Sequence, residues 1–577
     1  MGYTGKVARI DLSTASVRSV TLDSNIYRLF LGGRGVAGNL IRPHVHHSWT
    51  DPKMPIVLFA GPLVGTGAPS TDGLAVLSRS PLTGTVGDTM IYGAVGSRLK
   101  QAGWDGLIVT GRSPHPVGLE ITPEKIHLRD ASDDWGTNTF DLAPKHLQLN
   151  DIISIGPAGE NRIVYAGLAS NAEGTTGRSG IGAVFGAKRL KYIGVSGEMP
   201  APLLDGSEIE DVKRLASASP ALLGRCGIGA FGAAALFDLL HSRRMMPTDN
   251  FRATSYAPAA LLGADAIKRR FSPTVNGCPS CFVRCKRGHG EGVLPDFDAL
   301  SHFTALITNP DLDLAVSAID TCHKLGLDPI STASIIAFDQ ETSGRYMKDG
   351  ALIDFVEDLA AGRGRGEAYG SGLVLPAAKL GAAESAMAVK GLPLSAFDPR
   401  GALGTALSLA VATTGGTYKR ANLFSSEILR KPVPTDRFSF AGKARMVKVS
   451  EDLYAVTDAL VACNNIFLAA SIEEYAAFTS TVLHRDVSGA DLMRIGERIY
   501  YQERMMNSRL GFDMADDDLP KRFFTEPGSP GPGFDTPAID RNRFMDARQR
   551  YYRVRGLSPD GHPTARTADR LELEWSA

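Results

Sequence analysis

No apolar run in this sequence reaches the roughly 18 residues that a membrane span requires. The opening segment, Met1 to Asp11, has no charged stretch followed by an apolar one and no twin-arginine pair, so no export signal is expected. A surplus of one charge is missing too, since 62 Lys+Arg balance 62 Asp+Glu. That balance offers no basic stripe for nucleic acid and no patch for an anionic membrane. Internal repeats and low-complexity tracts are absent. Cysteine is scarce, at six in 577 residues. Such usage excludes a disulfide scaffold and points to a reducing, cytoplasmic setting.

The cysteines that are present are concentrated. Cys278-Pro279-Ser280-Cys281-Phe282-Val283-Arg284-Cys285 forms a C-x2-C-x3-C run. Thiolates so close together in a large chain favour a metal centre over disulfides. An iron–sulfur cluster generally takes four Cys thiolates, so a fourth must come from elsewhere. Cys226, Cys322 and Cys463 remain. Zinc would usually bring a second CxxC or a His pair.

The chain is too long for a single core and should divide into two to four domains. Up to about Gly197, short apolar runs are separated by Gly, Pro, Asp and Asn. Lys6–Leu12, Pro55–Ala60, Gly73–Ser78, Gly106–Thr110, Ile152–Ile155 and Tyr192–Val195 read as strands. Beyond Ala201 the period becomes helical, in Leu314–Leu325, Ser331–Gln340, Leu352–Ala361 and Gly489–Leu510. The expected class is α+β, with a sheet-rich domain over 1–200 and mostly helical domains over 201–405 and 406–577. The Pro/Gly-rich Glu526–Asp535 reads as an ordered strap.

Two N-terminal segments hold more glycine than strands tolerate: Ala60–Pro69, closed by Ser80–Gly84, and Gly174–Lys188. Backbone N–H groups free of side chains can line an anion cradle, to which Arg178 or Lys188 can add charge. A tight strand-to-helix corner packed on glycine explains the second segment equally well. It contains no G-x-G-x-x-G after a strand and no G-x4-G-K-[ST], which leaves dinucleotide and P-loop binding unsupported.

Taken in order along the chain, these pieces resemble the aldehyde ferredoxin oxidoreductase family of tungsten–pterin enzymes. Leu31–Gly35 looks like its helix entry, and Ala60–Thr66 with Ser80–Gly84 like its AGPLTGT…KSPLTG signature. Gly177–Lys188 resembles its GRGGxGAVxGxK run, Leu325–Thr332 its first pterin motif, and Asn507–Gly511 with Leu519–Phe523 its C-terminal domain. The second pterin motif, D-x-x-G-L-C, corresponds to Asp458–Cys463, with Val461-Ala462 in place of Gly-Leu. The resemblance therefore implies a [4Fe–4S] cluster on Cys278, Cys281, Cys285 and Cys463, and a tungsten or molybdenum bis-pterin cofactor. Gly174, Thr175, Gly177, Arg178, His323, Asp328, Arg420 and Asp458 are the implied pterin contacts, with magnesium at the pterin phosphates a further candidate. Carboxylates suit the pterin edge because it presents paired N–H donors. Cys226 and Cys322 are then expected to be ordinary buried thiols.

Departures from the family pattern bear on the chemistry. Gly73 stands where classical members carry an arginine near the pterin phosphates, and His323 replaces an aspartate. The R-G-A-x-H segment reads Thr414–Tyr418, with Tyr418 at the histidine position, and P-E-Y-E becomes Pro295–Asp298. The E-x-x-H that bridges an iron between subunits reads Ser317–Asp320, so a homodimer would form without that iron. Tyrosine, with an unperturbed pKa near roughly 10, is a poor base at neutral pH but can donate a hydrogen bond. Tyr418 is accordingly expected to orient the substrate's oxygen. Asp298, or His302 four residues on, would carry the proton. The implied activity is oxidation of an aldehyde or related small carbonyl compound, coupled to ferredoxin or a dedicated ferredoxin-like electron-transfer subunit. Two alternatives are an aryl-CoA reductase-like catalytic subunit and a non-catalytic electron-transfer subunit.

Overall fold

Ile56, Val57, Leu58 and Phe59 are all fully buried, yet neighbours along this strand belong to different cores. Successive side chains of a strand point to opposite faces, so such a strand must be covered on both sides. That requirement sets the architecture of the N-terminal region. The computed structural model describes residues 2–171, 174–198, 203–204, 206–290, 292–431 and 433–575.

The first sheet comprises β1 (Val7–Asp11), β2 (Ser16–Val20), β3 (Ile56–Phe59), β4 (Gly73–Arg79), β5 (Val86–Tyr92) and β6 (Gly106–Thr110), in the order β2-β1-β6-β3-β4-β5. Its β1–β6 pair is parallel and its other pairs are antiparallel. The second comprises β7 (Val117–Ile121), β8 (Ile126–Asp130), β9 (Asp151–Ser154), β10 (Leu168–Ser170), β11 (Thr175–Thr176) and β12 (Leu190–Val195), in the order β11-β10-β9-β12-β7-β8. Ile56 and Leu58 share one core with Leu119, Ile153 and Ile193 of the second sheet and with Phe185 of the Ile181–Lys188 helix. Val57 and Phe59 face the other way, onto Val36 of the Gly33–Ile41 helix and onto the Lys443–Leu460 and Gly489–Arg509 helices.

The remainder is mostly helical, so the molecule is α+β as expected. The anticipated helices appear as Leu312–Leu325, Pro329–Ser343, Gly350–Ala361 and Gly489–Arg509. Asp311 and Asp328 cap the first two by accepting hydrogen bonds from Leu314 and from Ile330 and Ser331. Ile319, Ile335, Phe338 and Phe355 of these helices form a core that includes Tyr165 from the N-terminal region. The helix Arg541–Arg555, beyond the Pro/Gly strap, was not anticipated. It buries Phe544, Tyr551, Tyr552 and Arg555 in place of an aliphatic stripe. Among the described residues, no helix is long and apolar enough to cross a membrane.

Candidate functional site

The cysteine triplet occupies the loop between Thr274–Asn276 and Lys286–His289, two short antiparallel strands. Hydrogen bonds to the first sheet's loop fix it there. Ser280 donates its amide to Asp72 Oδ2 at 2.9 Å, and Ser70 donates its amide to the Ser280 carbonyl at 3.1 Å. The Ser70 hydroxyl donates to Cys281 Sγ at 3.4 Å, while the Ser70 carbonyl accepts the amide of Cys463 at 2.8 Å. A single residue thus ties the triplet to the fourth cysteine, which follows the Lys443–Leu460 helix. Burial pushes the Cys463 thiol up, and Cys285, Cys281 and Cys278 each push it further, so all four sulfurs share one neighbourhood. Among the described residues, no three His, Cys, Asp or Glu side chains converge to single-ion spacing. A four-iron cubane spaces its thiolates more widely than one ion does. Cys322 is fully buried, as expected, but Cys226 is exposed, which corrects its assignment as a buried thiol.

Beside the triplet lies a cavity of about 210 Å³ whose walls include Cys285, Thr175, Gly177, Arg178, Asp296, Asp298, His323, Asp328 and Lys419. Asp296 is deep within the protein yet accessible, because it faces this space. The glycine-rich segment forms one wall. Gly174 and Thr175 lie against His323, whose Nδ1 accepts the Thr175 amide at 3.0 Å and therefore carries its proton on Nε2. Burial pushes the His323 ring down to about 4, so it is neutral at physiological pH. Arg178 donates to Ser395 Oγ at 2.8 Å and to the Pro393 carbonyl at 2.6 Å, and its Nε is 3.4 Å from Asp328 Oδ2. Asp328 is both helix cap and partner of Arg178. Lys188 does not reach the cradle, because its ammonium is bound to the Pro52 and Gly111 carbonyls, each at 3.1 Å. The later glycines answer to packing. A Cβ on Gly186 would meet the Gly159 carbonyl oxygen at 1.9 Å.

Asp458 belongs to a buried ionic network that joins the first sheet to the C-terminal helices. Arg34, fully buried, holds Glu503 through two hydrogen bonds of 2.6 Å and Asp458 through one of 3.0 Å. Arg420 holds Asp88 through two more, at 3.0 and 2.5 Å, and its Nε is 3.9 Å from Glu503. Burial pushes Asp458 up to about 6 against the pull of Arg34. The approach of the Gly33–Ile41 helix depends on a missing side chain, since a Cβ on Gly33 (φ +40°) would meet the Asp458 carbonyl oxygen at 2.3 Å.

The sequence-predicted catalytic residues divide in two. Tyr418, packed against Phe397 with ring centres 4.7 Å apart, donates its hydroxyl to Asp298 Oδ2 at 2.8 Å. Asp298 Oδ1 accepts the Ala396 amide at 2.8 Å. Burial raises the Asp298 carboxyl above the usual range, although these two donors together with Arg178 and Lys419 pull it back. Burial and the neighbouring Asp298 raise Asp296 as well. Tyr418 supports Asp298 without lining the cavity itself, and His302 lies apart from the walls as well. The chain changes there from the Phe297–Ser301 α-helix to a π-helical turn, and the ring meets the Asp298 carbonyl at 3.0 Å instead of its carboxylate. Its Nε2 is 3.1 Å from the Leu394 carbonyl. Burial pushes the ring down to about 4, and as a neutral imidazole it can donate to only one of these two carbonyls, which ties it to the backbone of the Asp298 segment or of Leu394 and not to the carboxylate.

Sequence reasoning missed Ser70, Asp72, Asp88 and Glu503. No motif of their own marks them. Arg34, however, stands inside the Leu31–Gly35 signature and could have been read as a buried cation in need of acidic partners.

Comparison with known proteins places the chain in a family. The profile described as "Aldehyde ferredoxin oxidoreductase, N-terminal domain" matches residues 7–197. That described as "Aldehyde ferredoxin oxidoreductase, domains 2 & 3" matches residues 208–573. The chain is 31% identical to a tungsten-containing aldehyde ferredoxin oxidoreductase of Pyrococcus furiosus, over 97% of each protein. It is 24% identical to an aliphatic sulfonate oxidoreductase, WOR-like subunit, of the same organism, over 99% of this chain and 97% of that one. Its fold matches the active site complex BamBC of benzoyl coenzyme A reductase bound to 1,5-dienoyl-CoA, with a TM-score of 0.82 and 20% identity over 99% of this chain and 97% of that one. This chain belongs to the aldehyde ferredoxin oxidoreductase family, as a divergent member and an oxidoreductase.

Proposed function

We propose that the protein is a tungsten–bis-pterin, [4Fe–4S] enzyme that interconverts a small aldehyde and its carboxylate, exchanging electrons with a ferredoxin or a ferredoxin-like subunit. One observation carries this reading. Cys285, a cluster ligand in the proposal, lines the same cavity as Asp298, Asp328 and Arg178. Electron exit and proton handling therefore meet in one space. Relatives named as tungsten-containing favour tungsten over molybdenum.

In this reading Cys278, Cys281, Cys285 and Cys463 hold the cluster. Gly174, Thr175, Gly177, Arg178, His323 and Asp328 face one pterin, and Asp458 and Arg420 the other. The accessible yet deeply enclosed Asp296 and the raised carboxyl of Asp458 are the features that fit a bulky polar cofactor between the domains. When bound, the metal supplies two-electron oxidation and oxygen transfer at the carbonyl carbon. The chain's own part is binding and proton management. Arg178, fixed by three contacts, presents positive charge to the cavity. Asp298 is raised toward neutrality, where a carboxylate accepts a proton most effectively. The Tyr418 hydroxyl aligns that carboxylate, and in this reading it turns to the substrate oxygen once Asp298 is protonated. His302 positions Asp298 through the backbone.

Anaerobic expression with tungstate, elemental analysis and an aldehyde panel with a viologen acceptor test the proposal. It expects tungsten and iron in the purified protein and aldehyde-dependent dye reduction. Metal-loaded protein that reduces no dye with any aldehyde would overturn it.

A further inference from the structure

The cations on the cavity wall, Arg178, Lys286, Arg287 and Lys419, are not equivalent, and Lys286 has a partner of its own. Arg178 is committed to Asp328, Ser395 and Pro393. Arg287 is committed to the carbonyls of Arg284, Lys286 and Gly229 at 2.8, 2.9 and 2.6 Å. Lys419 differs. Its backbone amide donates to Thr417 Oγ1 at 3.2 Å, but among the described residues its ammonium makes no hydrogen bond or ion pair. The side chain is exposed, borders the cavity and follows directly on Tyr418.

The carboxylates facing Lys419 do not account for it. Asp298 spends its two oxygens on Ala396 and Tyr418, and Asp296 caps the Phe297–Ser301 helix by accepting the Ala299 amide at 2.9 Å. Both feel the Lys419 charge without touching it, as does Asp88, which is held by Arg420. A flexible ammonium beside the proton-handling pair, with no anion of its own, is placed to bind one that arrives with the substrate.

Building on the activity proposed above, we infer that Lys419 selects aldehydes carrying an anionic oxyacid group at the end away from the carbonyl. The anion pairs with the ammonium while the carbonyl lies against Tyr418 and Asp298. A neutral aldehyde of equal length gains nothing from Lys419.

The test compares 4-oxobutanoate, glyceraldehyde 3-phosphate and butanal in the holoenzyme, alongside calorimetric binding of unreactive succinate. The wild type should favour one or both anionic aldehydes over butanal by about ten- to hundredfold in kcat/KM, as expected for one charge-assisted contact. The carboxylate and phosphate arms show which anion is taken. Lys419→Met should erase that preference through KM and abolish succinate binding, with any kcat change from the lost pull on Asp298 shared equally by charged and neutral aldehydes, whereas Lys419→Arg should retain most of the preference. Equal use of charged and neutral aldehydes by the wild type would overturn the inference. So would a Lys419→Met effect of the same size on butanal, which would make Lys419 a counter-ion for Asp296 and Asp298 only. If no aldehyde is oxidised but succinate binding still requires Lys419, the activity proposed above fails while the anion site stands.

Discussion

Val461 sits in the left-handed region, with φ 60° and ψ 36°, where it ends the Lys443–Leu460 helix two residues before Cys463. The family motif has glycine there. A non-glycine residue in this conformation costs about 1–2 kcal/mol, and β-branching makes it a marked outlier. What offsets that cost is packing. Val461 is fully buried, and its methyl groups come within 3.0 and 3.2 Å of where a Cβ would stand on Gly33 and Gly73. Gly73 is itself the position from which the family's arginine is missing, so the added valine fills space beside a deleted side chain. Burying a valine is worth about 1.5–3 kcal/mol, and emptying the site adds a cavity term. Packing therefore outweighs strain. Val461→Gly should destabilise by about 1–2 kcal/mol, the loss of packing less the relief of strain. Val461→Ala loses both methyls but keeps the strained backbone, and should be no more stable than Val461→Gly. At an ordinary core site glycine is the worse replacement by up to about 1 kcal/mol. Thermal midpoints at matched scan rate rank the three proteins without requiring reversibility. A glycine variant clearly less stable than the alanine variant would show that position 461 carries no strain.

Three further outcomes follow from the site. The Tyr418 hydroxyl is one of the groups holding the Asp298 carboxyl down, so Tyr418→Phe should raise that carboxyl further and move the acid limb of the pH–kcat profile to higher pH with cofactors retained; an unmoved limb would remove Asp298 as the base. Burial raises Asp458 from the ordinary carboxylate range to about 6, so its folded-state protonation contributes stability at low pH that is lost as pH rises through about 6. Asp458→Asn should therefore stabilise cofactor-free protein more at pH 8 than at pH 5 while lowering metal occupancy, and thermal midpoints at the two pH values with metal analysis check both halves. Glu503→Gln leaves Arg34 without its main carboxylate partner and should cost about 3–5 kcal/mol, read as a large fall in thermal midpoint.

Much of the fold was legible because its elements obey simple periodicities. Strands such as Gly106–Thr110 announce themselves as compact apolar runs, and Leu312–Leu325 by its apolar spacing. Arg541–Arg555 escaped because its buried face is built from tyrosine and arginine, which sequence patterns count as polar or neutral. At the site, the family motifs pointed to Asp298 and Tyr418, which do meet. The place of the His302 ring was not legible because i,i+4 spacing assumes an α-helix, and the π-turn that begins there carries the ring onto a backbone carbonyl. Ser70 and Glu503 act through contacts separated by hundreds of residues, which no local pattern records.

The central claim is that Cys463 joins the distant triplet around one cluster beside the cavity. Iron and sulfide analysis with low-temperature electron paramagnetic resonance, on anaerobically purified wild type and Cys463→Ala, tests it most directly. The account predicts about four irons per chain in the wild type, with a reduced-cluster signal, and loss or conversion of that cluster in the variant. An unchanged iron content and spectrum in Cys463→Ala would contradict it.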